Sequence, residues 1–172
     1  FPWVKSLSVF IIFTPVPTLK PETVLVSPVV CAPEVFNTWY NNDSKFALSL
    51  LNISRSIIEE RLSSGFKSET KEDNSIVTEV DIAIEKALRE KIEKNYPEHG
   101  IIGEEFPERN KDADYKWILD PIDGTEEFAN NLPFWGTIIA LHHKAKAIVG
   151  IIDHPALGIC LHATKGEGTF LN

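Results

Sequence analysis

The stretch "WILDPIDGT", residues 117–125, constrains this chain more than any other, because it places a proline between two carboxylates directly after an apolar run. Pro121 has a fixed φ and no N–H, and it pushes the preceding residue out of the helical region. The run 115–119 is therefore predicted to be a strand, with Asp120 extended at its end and Asp123 just past a tight bend. If the following "TEEFANN" is a short helix, Asp123, Gly124 and Thr125 occupy its N-terminal edge, where free N–H groups and the dipole favour an anion.

Two buried like charges at this distance repel unless a cation lies between them or one takes up a proton. The bend turns the Ile122 carbonyl in a similar direction as a third oxygen, and hard oxygen donors select Mg²⁺, Mn²⁺ or Ca²⁺ over zinc. The plainer reading is that Asp120 caps a strand and Asp123 a helix. "IIGEEF" (101–106) sets Glu104 and Glu105 after an apolar strand and a glycine, and "NSIVTEVD" (74–81) ends a β-type run with Asp81 in the first turn of a helix. Alone, Glu104 reads as a solvated turn acid and Asp81 as a helix-start acid favoured by the dipole.

The elements that would carry these acids are legible from periodicity. Phe46, Leu50, Ile53 and Ile57, widened by Ala47, Leu51 and Ile58, form one stripe of a helix starting at Asn42, Asp43 or Ser44 as N-cap and ending near Gly65. A second helix spans 80–95, with Val80, Ala83, Ile84, Ala87, Leu88 and Ile92 inward and the Glu85/Arg89 and Glu90/Lys94 pairs outside. Pro97 stops it. Short apolar runs at 100–102, 115–119, 136–141, 147–153, 159–163 and 169–171 read as strands. Two helices before a run of strands predict an α+β class, with helices on one face of a mainly antiparallel sheet.

Residues 1–40 hold six of the eleven prolines and no periodic pattern, and are expected to form an irregular leader outside a folded unit at 41–172. Few acids and several Ser and Thr leave a plastid transit segment as one reading of the leader; otherwise a reducing, cytoplasmic setting is expected. Cys31 and Cys160 show no metal or disulfide spacing. With 17 basic against 25 acidic residues and a net charge of −8, nucleic acid is not an expected partner. Nor is a membrane, since no apolar run approaches the roughly 20 residues needed to span one. An acidic surface is compatible with a phosphorylated substrate only if bound cations reverse the local sign. The five histidines lack ligand spacing and are assigned packing or surface roles.

"DNSIVTEVD", "GIIGEEF" and "WILDPIDGT", in this order and at these separations, resemble the inositol monophosphatase superfamily from about Asp43 to Asn172. The resemblance implies the N-terminal half of the layered sandwich shared with fructose bisphosphatases, a homodimer, and Mg²⁺-dependent hydrolysis of a small phosphorylated metabolite, with Mn²⁺ as a substitute ion. By that resemblance Glu104, Asp120 and the Ile122 carbonyl hold a first ion. Asp120 and Asp123 contribute to a second, and Asp81 holds a third through water. Lys71 matches a lysine that steadies this region. Thr125 and Glu104 activate the attacking water, while Asp123 and the N–H groups of Gly124 and Thr125 bind the substrate phosphate. "LPFWGTIIAL", "GIIDHPALG" and "GEGTFLN" are most similar to the histidinol-phosphatase branch, which makes L-histidinol phosphate the expected substrate. Inositol monophosphates and 3′-phosphonucleotides are the alternatives. Family members continue past the point matching Asn172, so a catalytically silent fragment or interaction partner is the expectation of a different class.

Overall fold

A computed structural model describes residues 42–70 and 76–171 of the chain. The proposed leader and Lys71 lie outside the described residues.

Helix α1 runs Asn42–Ser64, so Asn42, Asp43 and Ser44 lie within it rather than cap it. It closes at Gly65, whose φ of 83° lets its N–H reach the Arg61 carbonyl at 2.8 Å. The helix is rotated from the expected stripe. Ala47, Leu50, Leu51, Ser54 and Ile58 are buried, while Phe46, Ile53 and Ile57 sit half-buried at the flanks. Two serines decide the rotation. Ser44 shares a 2.8 Å hydrogen bond with Thr164, and Ser54 a 2.7 Å bond with Thr137, so small polar residues face the sheet with their hydroxyls satisfied. Hydrophobic periodicity alone cannot anticipate such a seam.

The ribbon β1 (Ser68–Thr70) and β2 (Ile76–Thr78) leads into α2 (Glu79–Asn95). Strand β1 is polar, exposed and three residues long, and left no signal in the sequence. Thr78 caps α2 by accepting from the Val80 and Asp81 N–H groups, and Asp81 reciprocates as the third residue of a capping box. Val80, Ile84, Leu88 and Ile92 are buried as expected. The Glu85/Arg89 pair is not outside: Glu85 is 0% and Arg89 9% exposed, because both turn toward the loop after β3.

That loop belongs to a six-stranded sheet in the order β3 (Gly100–Ile102), β4 (Tyr115–Asp123), β5 (Gly136–His143), β6 (Lys146–His154), β7 (Ile159–Thr164) and β8 (Gly168–Leu171). Only β3 and β4 pair in parallel; the other neighbours are antiparallel, giving the α+β class predicted. The face with Trp117, Leu119, Ile139, Leu141, Val149, Ile151 and Cys160 joins α1 and α2 in one core. The other face carries Ile118, Ile138, Ile152 and Leu161, half-buried. Apolar residues on both faces explain why these strands read as continuous runs rather than as alternation.

Strand β4 does not stop at Leu119. Asp120 pairs with Ile138 and Asp123 with Gly136, so three steps along β4 oppose two along β5, a bulge at Pro121–Ile122. The proline sits inside that bulge and beyond the end of β3, positions where a missing ladder N–H is tolerated. The bulge is tied to α1 by a relay: the Thr137 hydroxyl donates to the Pro121 carbonyl at 2.9 Å and meets Ser54 at 2.7 Å. Thr137→Val leaves a buried carbonyl and a buried hydroxyl unpaired. It should lower stability by about 1–3 kcal/mol. Urea unfolding should show a reduced midpoint at unchanged slope, and an unchanged midpoint would contradict the relay.

Candidate metal centre

Parallel pairing of Ile102 with Ile118 fixes where the acids meet, since the chain leaving β3 through Gly103 and Glu104 runs level with Leu119 and Asp120. Asp120 shares a side-chain hydrogen bond with Glu104. Burial first, then the Glu104, Asp123 and Asp81 charges, pushes the Asp120 carboxyl up to about 8. Its Oδ1 is buried with no hydrogen-bond partner. Asp120 also lines a small cavity of about 40 Å³ with Ile102, Gly103, Glu104, Ile118, Leu119 and Ile138. An orphaned carboxylate oxygen beside a second carboxyl, in a site whose candidate donors are all oxygens, fits a hard divalent cation.

Asp81 is 1% exposed, and both its oxygens are engaged. Oδ2 accepts the Thr78 N–H at 2.9 Å and the Thr78 hydroxyl, and Oδ1 accepts the Thr125 hydroxyl at 3.2 Å. Desolvation raises its pKa, against the hydrogen bonds from Thr78 and Thr125, which lower it. The Thr125 hydroxyl also lies 2.9 Å from the Ile122 carbonyl, whose orientation the bulge sets. The Thr125 hydroxyl is thus held by Asp81 and the Ile122 carbonyl, since the short helix α3 (Thr125–Ala129) begins opposite the α2 N-terminus.

Asp123 ends β4 exposed to solvent. Gly124 follows with φ 87°, and a Cβ there would meet the Phe134 carbonyl at 2.8 Å, so the bend requires glycine on two counts. With only five residues in α3, its dipole is small, and anion affinity at Gly124 and Thr125 rests on individual N–H groups. Among the described residues, no three His, Cys, Asp or Glu side chains are gathered closely enough to cage an ion as they stand. Of the acids expected to gather, Glu104 and Asp120 share a hydrogen bond, and the Asp123 and Asp81 charges also act on Asp120, with Asp81 engaged in its capping box and Asp123 exposed.

Sequence reasoning missed Glu85. Its carboxylate accepts the N–H groups of Glu104 at 2.9 Å, Glu105 at 2.7 Å and Phe106 at 3.3 Å. One signal was present: Glu85 falls on the same stripe as Asp81, Leu88 and Ile92. Four of the five histidines make packing or hydrogen-bond contacts. His99 stacks between Tyr96 and Tyr115, His143 on Tyr115 and His162 on Phe170, and His154 bonds the Trp135 carbonyl at 2.8 Å.

The chain is thus an α+β protein whose sheet brings the Glu104 and Asp120 carboxyls together where the bulged β4 outruns β3. The profile of the inositol monophosphatase family matches residues 39–172, and the chain belongs to that family. A histidinol-phosphatase of Chlorobaculum parvum is 40% identical over 103 residues, covering 60% of this chain and 40% of its own length. The chloroplastic bifunctional phosphatase IMPL2 of Arabidopsis thaliana is 41% identical over 126 residues, covering 72% of this chain and 36% of its own. The chain thus spans about two fifths of these curated relatives. The solved IMPase of Thermotoga maritima superposes with a TM-score of 0.70 at 29% identity, over 77% of this chain and 52% of that one. An IMPase/NADP phosphatase solved with Mg²⁺ and phosphate does so with a TM-score of 0.67 at 26% identity, over 76% and 50%. These relatives point to divalent metal dependence, Mg²⁺ included.

The Asp120 carboxyl sets a pH dependence whose sign is fixed. Its folded-state pKa of about 8 lies above the ordinary 3.8, so its contribution to stability is fully present below pH 3.8 and is lost as pH rises toward 8. In EDTA, Asp120→Asn should therefore melt higher than the parent at pH 8 and above, with the gap narrowing as the pH falls toward 4. Thermal melts across that range check it, and a gap that widens on acidification would contradict it.

Proposed function

We propose that this protein is a Mg²⁺-dependent phosphomonoesterase acting on L-histidinol phosphate, releasing histidinol and inorganic phosphate in histidine biosynthesis. The observation that carries the reading is the buried, partnerless Oδ1 of Asp120 beside the Glu104 carboxyl. Substrate choice rests on the similarity of 132–158 to the histidinol-phosphatase branch and on the relative of that name at 40% identity.

In this reading Glu104, Asp120 and the Ile122 carbonyl would hold one cation, Asp120 and Asp123 would contribute to a second, and Asp81 would support a third through water. Cations bound there supply the positive charge that draws a phosphate to an acidic surface and lower the pKa of a water held in line with it. Glu104, with Thr125, would be the group placed to accept a proton from the attacking water. Asp81 and the Ile122 carbonyl hold the Thr125 hydroxyl in place, 3.2 and 2.9 Å away, so that it can pass a proton on with little reorientation. The Gly124 and Thr125 N–H groups offset charge on the phosphoryl oxygens. The Asp123 carboxylate is exposed at the strand end, which leaves it open to an arriving substrate.

A second reading, a catalytically silent chain, is favoured by the absence of a ready three-acid cage among the described residues. Phosphate release from histidinol phosphate, inositol 1-phosphate and 3′-phosphoadenosine 5′-phosphate, with and without Mg²⁺, separates the two. The phosphatase reading expects Mg²⁺-dependent turnover, fastest on histidinol phosphate, reduced at least 100-fold in Glu104→Gln. It also expects Mg²⁺ to raise the melting temperature of the parent and not of Asp120→Asn. An equal rise in both proteins would remove Asp120 from the ligand set.

A further inference from the structure

We propose that the buried Glu85–Arg89 pair is a positioning device for Glu104, setting cation affinity from beneath the site; this rests on the reading of Glu104 as a ligand. Glu85 is fully buried, and its two oxygens receive three consecutive backbone N–H groups, from Glu104 at 2.9 Å, Glu105 at 2.7 Å and Phe106 at 3.3 Å. Arg89 completes the arrangement. Its Nε donates to Glu85 at 2.7 Å, and its two terminal nitrogens donate to the Phe106 and Pro107 carbonyls at 3.0 Å each. The guanidinium also lies 5.6 Å from the centre of the Phe106 ring. Gly103 has no side chain because a Cβ there would overlap the Glu85 carboxylate.

Three consecutive N–H groups aimed at one carboxylate fix the peptide planes from 104 to 106, and so the direction in which the Glu104 Cα–Cβ bond leaves the turn. That direction is toward Asp120, with which Glu104 shares its side-chain hydrogen bond. A buried ion pair is a poor source of net stability, since desolvation offsets most of its attraction and an apolar pair of similar volume would serve the core as well. What this pair supplies, and an apolar pair could not, is orientation of backbone donors and carbonyls. Exposed acids pointing the same way would act differently: their charge would compete for the cation, whereas Glu85 is neutralised by Arg89 and by the turn.

The test measures Mg²⁺ affinity of the full chain by calorimetry, and bound Mn²⁺ by electron paramagnetic resonance, alongside urea stability of the metal-free protein. Glu85→Gln, which replaces one acceptor oxygen by a donor facing N–H groups, should lower Mg²⁺ affinity at least tenfold. Arg89→Lys, unable to reach both carbonyls, should lower it less. Ile92→Val, one helical turn farther along α2, should lower stability and leave Mg²⁺ affinity within twofold of the parent. Should Glu85→Gln fail to fold, Gly103→Ala presses on the same carboxylate from the turn and should show the same affinity loss. Parent-like affinity in a folded Glu85→Gln or Gly103→Ala protein, with affinity abolished in Asp120→Asn, overturns the positioning role and leaves the metal site standing. Affinity that falls equally in Ile92→Val makes the effect one of stability and also overturns it. A parent chain that binds neither Mg²⁺ nor Mn²⁺ overturns the metal reading together with this one.

Discussion

One constraint organises the acid end of this molecule: a proline inside a strand that pairs on both sides over its first half and on one side only over its second. Pro121 can sit in β4 because β3 has already ended at Ile102, and the bulge it brings adds a residue between Asp120 and Asp123. Without the bulge, strand alternation would place Asp120 and Ile122 on one face and Asp123 on the other. With it, the Ile122 carbonyl meets the Thr125 hydroxyl, and the chain can turn at Gly124 into α3. The ends of β3 and β4, the α2 N-terminus and the start of α3 thus come together for a reason that begins with one missing N–H.

The electrostatics of that end follow from burial rather than from charge count. Asp120 and Asp81 both have raised pKa values with desolvation as the first cause, yet their surroundings differ. Asp81 spends its oxygens on Thr78 and Thr125, which is a structural use that also orients a hydroxyl. Asp120 has an oxygen with no use inside the described residues. A buried carboxylate left that way destabilises a fold unless something else completes it, and this distinguishes Asp120 from Asp81.

The sequence was most readable where one physical term dominated. Strands came from continuous apolar runs, helix ends from Gly65 and Pro97, and the class from two helices preceding the strands. The α1 face was misread because Ser44 and Ser54 are ordinary surface residues by composition, and only their partners Thr164 and Thr137, far along the chain, make them interior. Glu85 and Arg89 were misread for the complementary reason: an i, i+4 acid–base pair on a helix looks the same whether it faces water or a turn of backbone donors. The acids at 81, 104, 120 and 123 were legible as candidates, but not which would pair. That depended on the parallel register of β3 and on the capping box at Thr78.

Asp81 and Glu85 stand one helical turn apart on α2, one holding the hydroxyl of Thr125 and the other the backbone of Glu104. Both walls of the acid site therefore hang from a single rigid rod. An inserted residue between them would swing one wall about 100° around the axis relative to the other. Length in the loops is free to drift; the spacing of four on this helix is not.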